Sequence, residues 1–104
     1  MSGRRGTVTG ATFDEEVARV VRAIPVGEVL SYGDVAKRAG APLAARAVAR
    51  SLGRSGGLPW WRVIRSDGTL AEAVAGEQAR LLRAEGVRVV GRRVERAESR
   101  RRRS

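Results

Sequence analysis

The sequence predicts a mostly α domain with short β-strands and a winged helix-turn-helix character. Three observations carry that expectation. Apolar residues recur at helical spacing in several segments. Two of those segments are joined only by Gly40-Ala41-Pro42, the short turn a helix-turn-helix needs. Short apolar runs at Val63-Ile64 and Val87 to Val90 lie next to Asp67-Gly68 and Gly86, as brief strands do. At 104 residues the chain is one domain with room for a single modest core.

The elements follow in order. Residues 1–11, with three glycines and Arg4-Arg5, have no apolar periodicity and read as a flexible arm. Thr12-Phe13-Asp14-Glu15 has capping-box spacing, which predicts a first helix from Thr12 with Phe13, Val17, Val20, Val21 and Ile24 along its buried face. Pro25 and Gly27 end it. Ser31 can cap a second helix, with Asp34 near its positive end and Tyr32, Val35, Ala36 and Ala39 facing inward. A third helix is expected from about Leu43 to Leu52, closing at Gly53.

Arg54 to Gly57 then reads as a flexible link, Arg62-Val63-Ile64 as a short strand, and Leu70 to Ala75 as a loop. A last helix from about Gly76 to Glu85 is expected to carry Leu81 and Leu82 inward and stop at Gly86. The domain is expected to span 12–91. From Arg92 to Ser104, seven arginines and two glutamates supply +5 of the net charge, and this segment reads as a disordered basic tail.

Composition narrows the function. The 21 basic and 11 acidic residues give a net charge of +10, which favours a polyanionic partner. The chain has no cysteine and no histidine, so it offers no thiolate nucleophile, no zinc-thiolate site and no imidazole base. No metal, cofactor or catalytic residue is expected. No apolar run reaches the roughly 18 residues of a membrane span and the start lacks a signal-peptide apolar region, so a cytoplasmic protein is expected.

Several short motifs then occur in one order. They are Ser31-Tyr32-Gly33, Gly40-Ala41-Pro42, Ala44-Ala45-Arg46-Ala47-Val48, Pro59-Trp60-Trp61-Arg62-Val63-Ile64 and Glu85-Gly86. Together, from roughly Phe13 to Val90, they resemble the DNA-binding domain of the O6-alkylguanine-DNA alkyltransferases. That family usually carries Pro-Cys-His-Arg-Val where this chain has Pro59 to Val63. Trp60 falls on the alkyl-accepting cysteine and Trp61 on the histidine, which is similar to the alkyltransferase-like branch that binds alkylated guanine without removing the alkyl group.

The resemblance implies roles. Arg46 is the finger that fills the base stack when the damaged nucleotide rotates out, and Tyr32 helps turn its phosphate. Ala44, Ala45, Ala49 and Arg50 complete the DNA-binding surface, because Arg46, Ala49 and Arg50 share a helix face opposite Val48 and small neighbours suit a narrow minor groove. Tyr32, Pro59, Trp60, Val63 and Leu70 would line a lesion pocket, with Trp61, Arg62 and Glu85 supporting it. Taken alone, a Trp-Trp pair reads as core, a helical arginine as solvated and Tyr32 as a core residue. Two departures stand out: the loop after Leu70 carries Glu72 but no basic residue, and Arg54-Ser55-Gly56-Gly57 replaces the family's hinge asparagine, leaving Ser55 as an open candidate.

The function implied is a non-enzymatic sensor. It would bind O6-alkylguanine in duplex DNA, act as a monomer and flag the lesion for nucleotide excision repair proteins. The alternative is a helix-turn-helix DNA-binding protein, architectural or regulatory, with no lesion preference. An enzyme using an unusual nucleophile such as Ser66 is the third and least supported reading.

Overall fold

The computed structural model describes residues 10–95. The expected arm and tail therefore fall in part outside the described residues, which exclude 1–9 and 96–104. The order is α1 (Gly10–Arg22), β1 (Leu30–Ser31), α2 (Tyr32–Arg38), α3 (Ala45–Arg54), a 3-10 turn at Trp60–Arg62, β2 (Val63–Ile64), a second 3-10 turn at Glu72–Val74, α4 (Ala75–Ala84), and the hairpin β3 (Val89–Val90) with β4 (Arg93–Val94). The fold is mostly helical with short strands, as the sequence predicts.

Helix α1 starts two residues upstream of Thr12, so Thr12 stands inside the helix and is not its cap. A cap is worth only ~1 kcal/mol, less than the ~1.5–3 kcal/mol for burying each large apolar side chain. The face formed by Phe13, Val17, Val20, Val21 and Ile24 is buried as expected, and it fixes where the helix runs.

Helix α2 has the complete capping box. The Asp34 amide donates to Ser31 Oγ at 2.9 Å and the Ser31 amide to Asp34 Oδ2 at 3.2 Å. Its far end is a Schellman motif, in which Gly40 N donates to Lys37 O and Ala41 N to Ala36 O at 3.1 and 2.9 Å. The motif needs a left-handed residue, and Gly40 supplies φ +86°. Helix α4 ends the same way at Gly86.

Helix α3 begins at Ala45 and runs through Gly53 to Arg54, shifted two residues downstream of the expected range at each end. Two contacts hold the extra turn. Arg54 Nη2 donates to Asp14 Oδ1 of α1 at 2.8 Å, and Ser55 Oγ donates to the Ser51 carbonyl at 2.9 Å.

The buried residues form two clusters, where the sequence suggested one core. The first joins α1, α2, Val48 of α3, Leu58 and Val63. The second holds Ile64, Leu70, Ala79, Leu82, Val89 and Val94. The division falls within β2, because adjacent strand residues point to opposite faces: Val63 enters one cluster and Ile64 the other. Strand β2 pairs in parallel with β1, Leu30 opposite Val63 and Ser31 opposite Ile64. In α4 it is Gln78, Ala79 and Leu82 that turn inward, with Leu81 only half-buried.

The wing corrects the expected tail boundary. Val89 pairs with Val94 and Val90 with Arg93 in an antiparallel hairpin. Leu70 N donates to Arg92 O and Val94 N to Gly68 O, both at 2.8 Å, while Arg93 Nη1 donates to Asp67 O at 2.7 Å. Residues 92–95 therefore belong to the folded domain. Burial of Val94 at 4% exposure gives them an apolar anchor that composition did not reveal. Among the described residues no helix is long and apolar enough to cross a membrane.

Replacing Ser31 with alanine should remove one half of the α2 capping box and cost ~1 kcal/mol. Urea denaturation checks it: a lower midpoint at unchanged slope is expected, and an unchanged midpoint would show that β1–β2 pairing alone holds this helix start.

Candidate nucleic-acid interface

The helix-turn-helix presents one basic face. In α3, Val48 is fully buried while Arg46, Ala49 and Arg50 are exposed, so the sequence pattern and the burial agree. Ala44 and Ala45 at its start are half-buried, and Ala44, in the N-cap position, offers no side-chain hydrogen bond to the first turn. Methyl-sized side chains leave the backbone approachable beside Arg46. Tyr32, the first residue of α2, is half-buried against the first cluster. Burial raises its phenol pKa above the usual value, against the opposing charge of Arg65, so the hydroxyl stays neutral and able to donate at neutral pH.

Pro59 shapes the Trp segment. Its φ −77° and ψ 66°, with Trp60 N donating to Leu58 O at 2.7 Å, form an inverse γ-turn. The 3-10 turn that follows includes Arg62, so the expected strand begins one residue later, at Val63. The two indoles meet edge to face, centroids 6.0 Å apart at 83°. Their surroundings differ. Trp61 packs against the second cluster and donates Nε1–H to Glu85 Oε2 at 2.8 Å. Trp60 is half-buried, belongs to neither cluster, and makes no side-chain hydrogen bond to a described residue.

Glu85 is the acceptor on which this segment converges. Arg62 grips it with two nitrogens, Nη2 to Oε2 at 2.7 Å and Nε to Oε1 at 3.0 Å, while the Gly27 amide donates to Oε1 at 3.2 Å. The remaining Arg62 nitrogen, Nη1, donates to the Ile24 carbonyl at 2.8 Å, and the guanidinium carbon lies 5.6 Å from the Trp61 ring centroid. Both charged side chains are only 13% exposed. The Arg62 hydrogen bonds foremost, with those from Trp61 and Gly27, hold the Glu85 carboxyl at about 2 despite the burial that raises it. Glycine suits position 27 because its φ of +89° is a backbone conformation that L side chains rarely adopt.

A cleft of about 340 Å³ opens between Tyr32 and Gly33, Ala45 at the start of α3, and Arg65, Ser66 and Asp67. Neither Pro59 nor Trp60 lines it. Two residues expected in the pocket wall are in the core instead: Val63 and Leu70 are each 0% exposed. Val63 turns inward because strand alternation puts it under α2. Leu70 does so because its amide is tied to Arg92, which draws it beneath the hairpin. The structure brings Tyr32 next to Ala45, and it gathers Trp61, Arg62 and Glu85 into one network. Gln78 was missed. Its Nε2 donates to the carbonyls of Trp61 and Val63 at 3.1 and 2.9 Å, and a polar residue four positions before Leu82 on the inward face was the available signal.

Residues 12–87 match the profile of the 6-O-methylguanine DNA methyltransferase DNA-binding domain. The chain belongs to that family. It resembles the DNA base-flipping protein of Escherichia coli K12, 45% identical over 85 residues, which are 77% of this chain and 66% of that protein. The methylated-DNA–protein-cysteine methyltransferase of Salmonella typhimurium is also 45% identical, over 86 residues, 77% of this chain and 50% of the relative. The chain thus spans about two thirds of the first relative and half of the second. Among solved structures it is similar to S. pombe Atl1, crystallised with damaged DNA containing O6-carboxymethylguanine, with TM-score 0.73, 33% identity and coverage of 77% of this chain and 81% of the other.

Within that family this chain is an alkyltransferase-like member, since tryptophan stands at the position of the acceptor cysteine. Because the folded Glu85 value lies below the ordinary 4.5, its pairing stabilises the fold fully above about pH 5 and the contribution is lost as pH falls towards 2. Replacing Glu85 with alanine should cost about 2–3 kcal/mol at pH 7, leaving Arg62 with a single acceptor. Denaturation curves of both proteins from pH 7 to pH 2 check the assignment. The difference between them should shrink across that window, and a constant gap would mean that the carboxylate's charge is irrelevant.

Proposed function

We propose that this chain is a non-enzymatic sensor of O6-alkylguanine in duplex DNA. It approaches through the minor groove, with Arg46 inserted into the stack and Tyr32 turning the phosphate of the flipped nucleotide. The carrying observation is the Pro59 to Val63 segment itself: the family scaffold around it is intact, but the acceptor position is a half-buried indole and its neighbour Trp61 is committed to Glu85. Alkyl transfer to the family's cysteine needs a thiolate, and the chain has no cysteine. An indole face can instead stack on or wall a flipped base, worth ~1–3 kcal/mol.

The lesion pocket in this reading is made by Tyr32, Pro59 and Trp60. Val63 and Gln78 support the segment that carries it, and Trp61, Arg62 and Glu85 brace it. A relative named for base flipping and another solved on damaged DNA support the reading. The protein acts as a monomer in the cytoplasm, one flipped base needing one pocket, and hands the marked site to nucleotide excision repair proteins.

The test is fluorescence anisotropy with duplexes that differ by one guanine or O6-methylguanine, at a fixed salt near 150 mM because phosphate contacts are salt-dependent. The wild type should prefer the alkylated duplex. Arg46→Ala should weaken binding to it at least tenfold, and Trp60→Ala should reduce the preference by roughly 5- to 150-fold, the range that ~1–3 kcal/mol of stacking implies. No mass should be added to the protein after incubation with alkylated DNA. Equal affinity for both duplexes would leave a helix-turn-helix DNA-binding protein without lesion preference.

A further inference from the structure

We propose that the cleft beside α3 is a phosphodiester subsite, in which Arg65 and the Tyr32 hydroxyl together anchor the backbone of the bound strand. This rests on the DNA-binding part of the reading above and adds Arg65, a residue outside the motifs that carry the family resemblance.

Arg65 is exposed on the wall of the cleft opposite Ala45, the residue immediately before Arg46. It makes no salt bridge or side-chain hydrogen bond with a described residue. By contrast, Arg19, Arg54, Arg62, Arg80 and Arg88 each pair with a carboxylate. Its backbone is fixed: the amide donates to Thr69 O at 3.1 Å, the carbonyl accepts from Gly68 N at 2.9 Å, and the preceding Ile64 is buried in the second cluster. A guanidinium with no ion pair or hydrogen bond to a described residue is therefore held on a rigid strand end, across a cleft from a neutral phenol that likewise makes no hydrogen bond to a described residue.

The acid in the cleft forms no ion pair with it, although the Arg65 charge is near enough to help lower the Asp67 carboxyl below its usual range, behind the Thr69 hydrogen bonds. Asp67 Oδ1 accepts from the Thr69 amide and hydroxyl at 3.0 and 2.7 Å, so its carboxylate is engaged within its own turn. The Ser66 hydroxyl on the same wall adds a donor. A guanidinium with two hydroxyl donors around an open groove matches a phosphate oxygen pair, and it suits a flipped base poorly because the indole of Trp60 is not part of this wall. Arg46 and Arg50 on the adjacent exposed face add to the attraction.

The experiment titrates unmodified and O6-methylguanine duplexes from about 50 to 300 mM salt with the wild type, Arg65→Gln, Arg65→Lys and, as a paired surface control, Arg80→Gln. Arg65→Gln should weaken both duplexes alike, about 3- to 10-fold near 150 mM, and flatten the log–log salt slope by about 0.9, the loss of one phosphate contact. Arg65→Lys should recover the slope. Arg80→Gln should change nothing. A set of duplexes with single methylphosphonates should contain one position that weakens the wild type and leaves Arg65→Gln unaffected. Wild-type affinity and slope in Arg65→Gln would overturn the subsite, as would methylphosphonates that all act equally on both proteins. If the wild type shows no lesion preference, the sensor reading falls while the Arg65 comparison on the unmodified duplex still decides the subsite.

Discussion

The bidentate pair between Arg62 and Glu85 is the constraint around which the candidate site is built. It ties the end of α1, through the Ile24 carbonyl and the Gly27 amide, to the Trp segment and to the last residue capping α4. Withdrawing two charges from water is costly unless their hydrogen-bonding capacity is met. Here the carboxylate receives four donor groups and the guanidinium has a carbonyl for its spare nitrogen, so the condition is satisfied. A residue pair that needs so many partners in place also specifies where those partners sit. That is how the position of Trp60, one residue before this network, becomes a property of the whole fold.

Strand β2 transmits the same constraint to the cleft beside α3. Two residues long, it divides the interior, with Val63 under α2 and Ile64 under the hairpin. Gln78 then donates to the carbonyls of Trp61 and Val63, tying α4 to the strand and to the turn before it. Arg65 leaves this strand directly into the turn that the hairpin clamps through Gly68, Arg92 and Arg93. The helix-turn-helix and the wing are therefore braced against one another through a short buried strand, and the cleft between Tyr32 and Arg65 is the seam.

Much of this was legible in the sequence, for identifiable reasons. The buried face of α1, the Ser31–Asp34 cap and the exposed Arg46–Arg50 face follow from local periodicity and capping chemistry, which act over three or four residues. The grouping of Glu85 with Trp61 and Arg62 followed from the family motifs. What failed depended on distant partners. Thr12 is not a cap, because packing outweighs a local preference. Val63 and Leu70 are core rather than pocket wall, because a strand pair and a hairpin cover them. Residues 92–95 look like basic tail until Val94 is seen to fill the second cluster. Arg65 carried no motif, and only the fold places it across from Ala45.

The replacement of the family's Cys-His pair by two tryptophans is consistent with that division between local and distant demands. An imidazole beside Glu85 would present an N–H to the carboxylate, and an indole presents one too. Trp61 therefore preserves the donor that the Arg62–Glu85 network requires, while removing the only ring nitrogen able to accept a proton. Glu85 cannot take over as the base: with its carboxyl held at about 2, it is too weakly basic to activate a hydroxyl at neutral pH. The substitution thus separates scaffold from chemistry. The network that positions residue 60 is present, and the side chain it positions is a flat indole and not a thiol.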